Sequence, residues 1–312
     1  VSDAAGSSSE VAATARTPSS AESPAASGGR DGEELVTRLV VAGLGIPVCV
    51  AVVWIGGLVF AVGLAILAGV GMGEYVAMFR SRASRIGDAT GLPFRVFGVL
   101  AAGCLPLLAY TLGLQATWAA VPVLLLAAGA YALATRPPER GPIAAASLTV
   151  FGAVYLGGLL AFGVPLREAP GTGRLAGTLL FFLPVVVTWL ADTAAYFGGR
   201  RWGRRKLAPL VSPNKTVAGA VSAVVAGPLV AVAYGTLLAP LGGLRPDPLL
   251  TVLFGLAASV AGIIGDLVES LVKRECGVKD ASHILPGHGG ILDRLDSLLW
   301  VFPVAYLFFV AS

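Results

Sequence analysis

The sequence predicts an all-α, polytopic integral membrane protein, and three observations carry that prediction. Only 13% of the 312 residues are charged, whereas a soluble domain carries about 25%. Hydrophobic residues make up 56%, and the mean hydropathy is +0.82. The third observation is arrangement. Apolar runs of about 20 residues recur along the chain, the helix length that crosses a ~30 Å hydrocarbon core. A soluble enzyme, a disordered chain and a fibrous protein are all excluded.

Residues 1–34 are rich in Ser, Ala, Gly, Pro and Glu and show no periodicity. Such a composition cannot bury enough surface to order itself, so a disordered cytoplasmic tail is expected. The basic start and apolar core of a signal peptide are missing from it. From Leu35 onward about nine spans are expected, near 38–55, 57–79, 93–113, 117–135, 142–164, 175–198, 217–240, 248–272 and 297–311. The stretch from Val36 to Phe79 reads as a helical hairpin, because Pro47 and the Gly56-Gly57 pair interrupt it. Gly56-Gly57 and Gly157-Gly158 are also small enough to let helices approach closely.

Basic residues fix the orientation. With nine spans, nineteen of the 22 Lys and Arg fall on the side of the tail, and Arg167, Arg174 and Arg245 fall on the other. The positive-inside rule makes the first side cytoplasmic. The two largest polar loops, 199–216 and 273–296, lie there. Functional polarity concentrates toward the C-terminus, so residues 35–174 read as a transmembrane scaffold of about five spans. Residues 175–312 read as a catalytic region of about four spans. Three cysteines, with no C-x-x-C spacing, indicate neither a disulfide framework nor a redox pair.

Four acids lie within or at the ends of apolar spans: Glu74, Asp192, Asp266 and Glu269. An ionisable group at membrane depth is costly and is usually paired or functional. Glu74, a turn and a half before Arg80, is expected to pair or to pack structurally. Asp192 and Tyr196 are four apart and share a helix face; an interhelical hydrogen bond would also account for Asp192. The following loop carries Arg200, Arg201, Arg204, Arg205 and Lys206, a pattern that attracts anionic headgroups. Ser212-Pro-Asn-Lys215-Thr216 then sets an ammonium and two hydroxyls before an apolar helix, where helix N-termini favour phosphate.

Asp266, Ser270 and Lys273 fall at i, i+4 and i+7, one polar stripe with Glu269 at its border. The stripe starts about two turns inside the charged end, which a solvated surface face does not explain. The next loop supplies Lys279, Asp280, His283, His288, Gly289, Gly290, Asp293, Arg294 and Asp296. Glycines let backbone N–H groups approach an anion, and carboxylates supply the hard oxygens that Mg²⁺ takes. Asp293 and Asp296 share a face at a helix start, where simple capping is the alternative. His288, flanked by glycines, is the better functional candidate of the two histidines, and a zinc site is not indicated.

The run Ser270-x-Val272-Lys-Arg-x4-Lys279-Asp-x-Ser282-x2-Leu285-Pro-x-His288-Gly-Gly-Ile-x-Asp293-Arg-Leu-Asp296 resembles the signature of the phosphatidate cytidylyltransferase, or CDP-diacylglycerol synthase, family, with no departure along it. Asp192-Thr-x-Ala-Tyr196 and Ser212-Pro-x-Lys-Thr216 are similar to two upstream pieces of that family, so the motifs span about 189–297. The resemblance implies an all-helical, homodimeric enzyme of the cell membrane that joins CTP and phosphatidate into CDP-diacylglycerol and pyrophosphate. It implies Mg²⁺ on Asp266 and Asp293, with K⁺ as a possible second cation. Lys279 and His288 complete the expected catalytic set, His288 orienting and not abstracting a proton. Substrate contacts are expected from Asp192, Tyr196, Ser212, Lys215, Thr216, Ser270, Lys273, Arg274, Asp280, Gly289, Gly290, Arg294 and Asp296.

Two anions must meet in that reaction, and their repulsion in a low-dielectric site is prohibitive without cations. The phosphate monoester is already an ionised nucleophile, so no strong base is required. Nucleic acid is not an expected partner. A CTP-dependent polyprenol or dolichol kinase would need similar substrates but not the full signature. A transporter would place its polar residues nearer the midplane and between repeats.

Overall fold

The computed structural model describes residues 43–169, 171–282, 284 and 289–311. The expected tail 1–34 and the start of the first expected span lie outside the described residues. Apolar stretches become helices because a backbone in lipid must satisfy every N–H and C=O internally. The helices are α1 (Gly43–Ile55), α2 (Gly57–Ile86), α3 (Arg95–Leu112), α4 (Leu114–Thr135), α5 (Pro142–Ala153), α6 (Gly163–Arg167), α7 (Arg174–Trp202), α8 (Val217–Leu237), α9 (Pro248–Glu275) and α10 (Leu292–Phe309). A π-helical turn, Val154–Gly158, joins α5 toward α6 within one apolar stretch, Pro142–Arg167.

Seven of these stretches are long and apolar enough to cross a membrane. The first and last expected spans correspond to shorter or more charged helices. As described, α1 covers only Gly43–Ile55, and α10 opens with Asp293, Arg294 and Asp296. The expected hairpin is present. Gly56, at φ +69°, separates α1 from α2, a left-handed conformation that glycine adopts without strain. Prolines lie inside α3, α4, α7, α8 and α10, at Pro106, Pro122, Pro184, Pro228 and Pro303. Neighbouring helices tolerate such breaks within a membrane bundle. Pro47 likewise lies within α1 and, contrary to expectation, does not interrupt it.

Small and aromatic residues divide the packing between them. Gly157 lies directly against the Ala102 backbone, so a Cβ there would collide with the Ala102 carbonyl. The expectation of close helix approach at Gly157-Gly158 is met between α3 and the π-helical turn. Further in, Phe181 of α7 meets Phe60 of α2 edge-on at 4.9 Å and stacks on Phe302 of α10 at 5.2 Å. These rings tie the first long helix to the last one.

The loop 199–216 holds an element that hydropathy does not signal. Strands β1 (Lys206–Ala208) and β2 (Ser212–Thr216) pair antiparallel, with Lys206 opposite Thr216 and Ala208 opposite Ser212. The hairpin projects Leu210 almost fully into the surroundings. It delivers the chain directly into α8, whose N-cap is Thr216. The C-terminal ends of α2, α7 and α9 and the N-terminal ends of α8 and α10 thus gather at one end of the bundle.

Candidate active site

A cleft of about 780 Å³ opens at that end, within the range of small-molecule sites. Helix α7 brings Asp192 and Tyr196 to it. The hairpin brings Lys206, Asn214, Lys215 and Thr216, while α9 contributes Asp266 and α10 contributes Asp293 and Asp296. Residues more than 100 positions apart therefore share one wall. Arg200 stands at the same cleft and donates to the Tyr196 hydroxyl at 3.3 Å.

The inner wall is a chain of carboxylates and ammonium groups. Lys215 Nζ pairs with Asp266 Oδ2, and Ser270 Oγ donates to Asp266 Oδ1 at 3.3 Å. Lys273 Nζ stands between Glu269 Oε2 at 2.5 Å and Asp293 Oδ1 at 2.8 Å. The helix face expected from the i, i+4, i+7 spacing thus carries two sets of bonds, Lys215–Asp266–Ser270 and Glu269–Lys273–Asp293. Its backbone support is equally specific. Asp293 Oδ2 accepts the N–H of Gly290 at 2.9 Å and of Ala281 at 3.0 Å.

Asp266, Glu269 and Asp296 each place a carboxylate oxygen within 4.8 Å of the other two. Three like charges at that spacing repel one another strongly, and two lysines offset only part of the charge. Hard oxygen donors in such a set fit a divalent cation of the Mg²⁺ or Ca²⁺ type. Glu269, noted in the sequence only as bordering the stripe, proves central to it and is 1% exposed. Its i+4 relation to Lys273 was the signal available beforehand.

Other expected site residues bond to backbone or lie outside the cleft lining. Arg274 donates to the carbonyls of Val211 at 3.2 Å and Val278 at 3.1 Å, tying α9 to the hairpin. Thr216 accepts the Gly219 N–H at 3.1 Å and so caps α8. Ser212 lies in β2, while Lys279, Asp280 and Arg294 are exposed in or beside the signature loop. Gly289 and Gly290 flank Asp293's support. His288 and its companion His283 lie outside the described residues.

Glu74 takes the structural role expected of it, with partners far along the chain. Its buried carboxylate, 2% exposed, accepts from Ser282 Oγ at 2.6 Å, Ile291 N at 2.9 Å and Leu292 N at 2.8 Å. It therefore caps α10 from a different helix, and Asp296 does not. Asp296 instead accepts the neighbouring Ser297 N–H at 2.6 Å. The close approach requires a glycine, since a Cβ on Gly290 would lie 2.8 Å from Glu74 Oε2. Nearby, burial pushes the Cys276 thiol up to about 11, outside its ordinary range.

Comparisons with known proteins agree with this geometry. The family model described as the cytidylyltransferase family matches residues 36–312. The chain is 42% identical over 154 residues to a protein named phosphatidate cytidylyltransferase from Bacillus subtilis (strain 168), covering 49% of this chain and 54% of that one. A phosphatidate cytidylyltransferase of Brucella suis biovar 1 (strain 1330) is 47% identical over 131 residues, 42% of this chain and 46% of that protein. Phosphatidate cytidylyltransferase 4, chloroplastic, of Arabidopsis thaliana is 34% identical over 299 residues, 86% of this chain and 72% of that one. The chain spans about half the length of the bacterial relatives it matches. A nearly full-length family match, joined to a cleft built from its signature residues, places this chain in the cytidylyltransferase family.

Proposed function

We propose that this protein transfers the cytidylyl group of CTP to phosphatidate, forming CDP-diacylglycerol and pyrophosphate at the cytoplasmic membrane face. The observation that carries this reading is the juxtaposition of clustered carboxylates with Lys215 in a polar cleft at the end of membrane-spanning helices, with Lys273 paired to Glu269 and to the cleft residue Asp293. A membrane-embedded enzyme with such a cleft can meet a lipid phosphate from one side and a water-soluble nucleotide from the other. The relatives' printed names support the same substrates.

In the proposed step, an oxygen of the phosphatidate phosphate attacks the α-phosphorus of CTP. A new P–O bond forms, the bond from the α-phosphorus to the bridging oxygen breaks, and pyrophosphate departs with that electron pair. The three carboxylates and the adjoining Asp293 would hold Mg²⁺, with Asp266 and Asp293 the principal ligands and Asp296 beside them. When bound, Mg²⁺ offsets the triphosphate charge and stabilises the charge that develops in transfer. Lys215 and Lys273 orient the carboxylates and stand ready to pair with phosphate oxygens. Arg200 and Lys206, at the same cleft, fit the role of outer phosphate contacts. His288 keeps the orienting role that its place in the signature suggests, and K⁺ would be a secondary cation.

Nineteen of 22 cations on one side support a cytoplasmic N-terminus, and the cell membrane is the setting that the family resemblance implies. The homodimer, and the division into a scaffold and a catalytic region, are part of the same reading. Purified protein in detergent, given phosphatidate, CTP and Mg²⁺, should release one pyrophosphate for each CDP-diacylglycerol formed. Chelation should stop both together. Release of pyrophosphate without a matching lipid product would sink the reading.

A further inference from the structure

Among its described residues, the signature loop takes several supports from the opposite half of the sequence. Helix α2 contributes Glu74 and Arg85, eleven residues apart. At about 3.6 residues per turn they share one face and stand roughly 16 Å apart along the axis. Glu74 accepts from Ser282 within the loop and from Ile291 and Leu292 where α10 begins. Arg85 donates to the Gly277 carbonyl at 2.6 Å and also to the Cys276 carbonyl, where α9 ends. Arg82 adds an ion pair to Glu275 at 3.9 Å.

Both contacts use free helix ends. The N–H groups opening α10 lack partners within the helix and carry partial positive charge, which suits a carboxylate. The carbonyls closing α9 carry partial negative charge, which suits a guanidinium. Each residue is matched to the terminus it meets. Between the two termini lies the segment that delivers Asp293, and Asp293 in turn binds Lys273 and the N–H groups of Ala281 and Gly290.

We propose that α2 is a strut for the catalytic loop, with Glu74 and Arg85 as positioning residues that set where Asp293 and Asp296 stand relative to Asp266. For its effect on turnover this rests on the proposed cytidylyl transfer. Its effect on loop order does not depend on that reading. Neither residue lines the cleft; each acts through the ends of α9 and α10.

The test compares full-length wild type, Glu74→Ala, Glu74→Gln and Arg85→Met, each purified in detergent. Amide hydrogen exchange is followed across 276–300, and transfer is measured while Mg²⁺ and CTP are varied separately. In Glu74→Ala, exchange where α10 begins should rise at least about tenfold, because charge-assisted bonds to two amides are lost. Its kcat should fall about tenfold or more, with half-saturating Mg²⁺ raised and the KM for CTP moved less than about threefold. Glu74→Gln keeps one carbonyl acceptor and should fall between the two. Arg85→Met, at an exposed site, should loosen the loop beside α9 by a smaller factor.

A general loss of packing would move exchange in α7 and α8 as well; the strut predicts no change there. Exchange near the start of α10 within twofold of wild type in folded Glu74→Ala would overturn the proposal. Where Glu74→Ala does not fold, wild-type exchange in both Glu74→Gln and Arg85→Met overturns it. Should wild type itself transfer nothing, the exchange data still decide the strut, and the reaction reading fails separately.

Discussion

The two ends of the bundle both bury charge, and they do so in opposite ways. At the end away from the cleft, Arg167 is 5% exposed and donates to the carbonyls of Val53 at 2.5 Å and Trp54 at 3.0 Å. Glu168 lies 3.8 Å from it and accepts the Gly57 N–H at 2.6 Å. Every one of these bonds closes the turn between α1 and α2. At the cleft end, Asp266 and Asp296 line open space with the buried Glu269 against them, and lysines only partly offset the three. A charge satisfied by backbone holds a fold together. Like charges gathered beside a cavity are arranged for something that is not protein.

Substitutions at the two ends should therefore fail differently. The largest effect is expected from Asp293→Asn and Asp266→Asn, with turnover falling by about 10²-fold or more. Both variants should insert and elute like wild type. Near-normal activity of Asp293→Asn would remove that residue from the metal site. Next, Arg167→Ala leaves two carbonyls without their donor and should cost about 2–4 kcal/mol of stability. Thermal unfolding in detergent reads that loss, and kcat per folded molecule should stay within about twofold of wild type, since Arg167 is remote from the cleft. A kcat lowered as far as in Asp266→Asn would erase the contrast between the ends.

Gly290→Ala tests the same contrast within the cleft end. Its Cβ would press on Glu74, so activity should fall about tenfold with a smaller change in thermal stability. The smallest effect concerns Cys276. With its thiol raised to about 11, only about a thousandth is thiolate at pH 8, and alkylation of the native protein should be slow. Labelling of a Cys49→Ser, Cys104→Ser background by mass spectrometry measures this. Rapid labelling of wild-type Cys276 would contradict the burial.

Hydropathy made the spans legible because spanning a membrane is a property of whole segments. Gly56 divides the first hairpin as expected, because backbone chemistry acts locally, whereas Pro47 lies within α1 and does not interrupt it. Helical periodicity alone places Asp266, Ser270 and Lys273 on one face, and the structure bonds Ser270 to Asp266 and Lys273 to Glu269 and Asp293. The strand pair 206–216 was not legible, since Lys206-Leu-Ala and Ser212-Pro-Asn-Lys-Thr216 show no apolar alternation. The structural role of Glu74 is legible from its depth in the span, but its partners are not. Its partners lie 208 to 218 residues away, and no local pattern reports such a pairing. Thr216 and Arg274 were recognisable as polar residues near the site, but their bonds to backbone appear only in three dimensions.

The central claim is that the cleft moves a nucleotidyl group, and two parallel assays with differently labelled CTP test it most directly. Purified protein is given phosphatidate and Mg²⁺ with ³²P at either the α or the γ position. Cytidylyl transfer predicts that α-label enters the lipid phase and γ-label leaves as pyrophosphate. Label from the γ position appearing on a lipid, with the α-label left in water, would contradict the account and make the protein a lipid kinase.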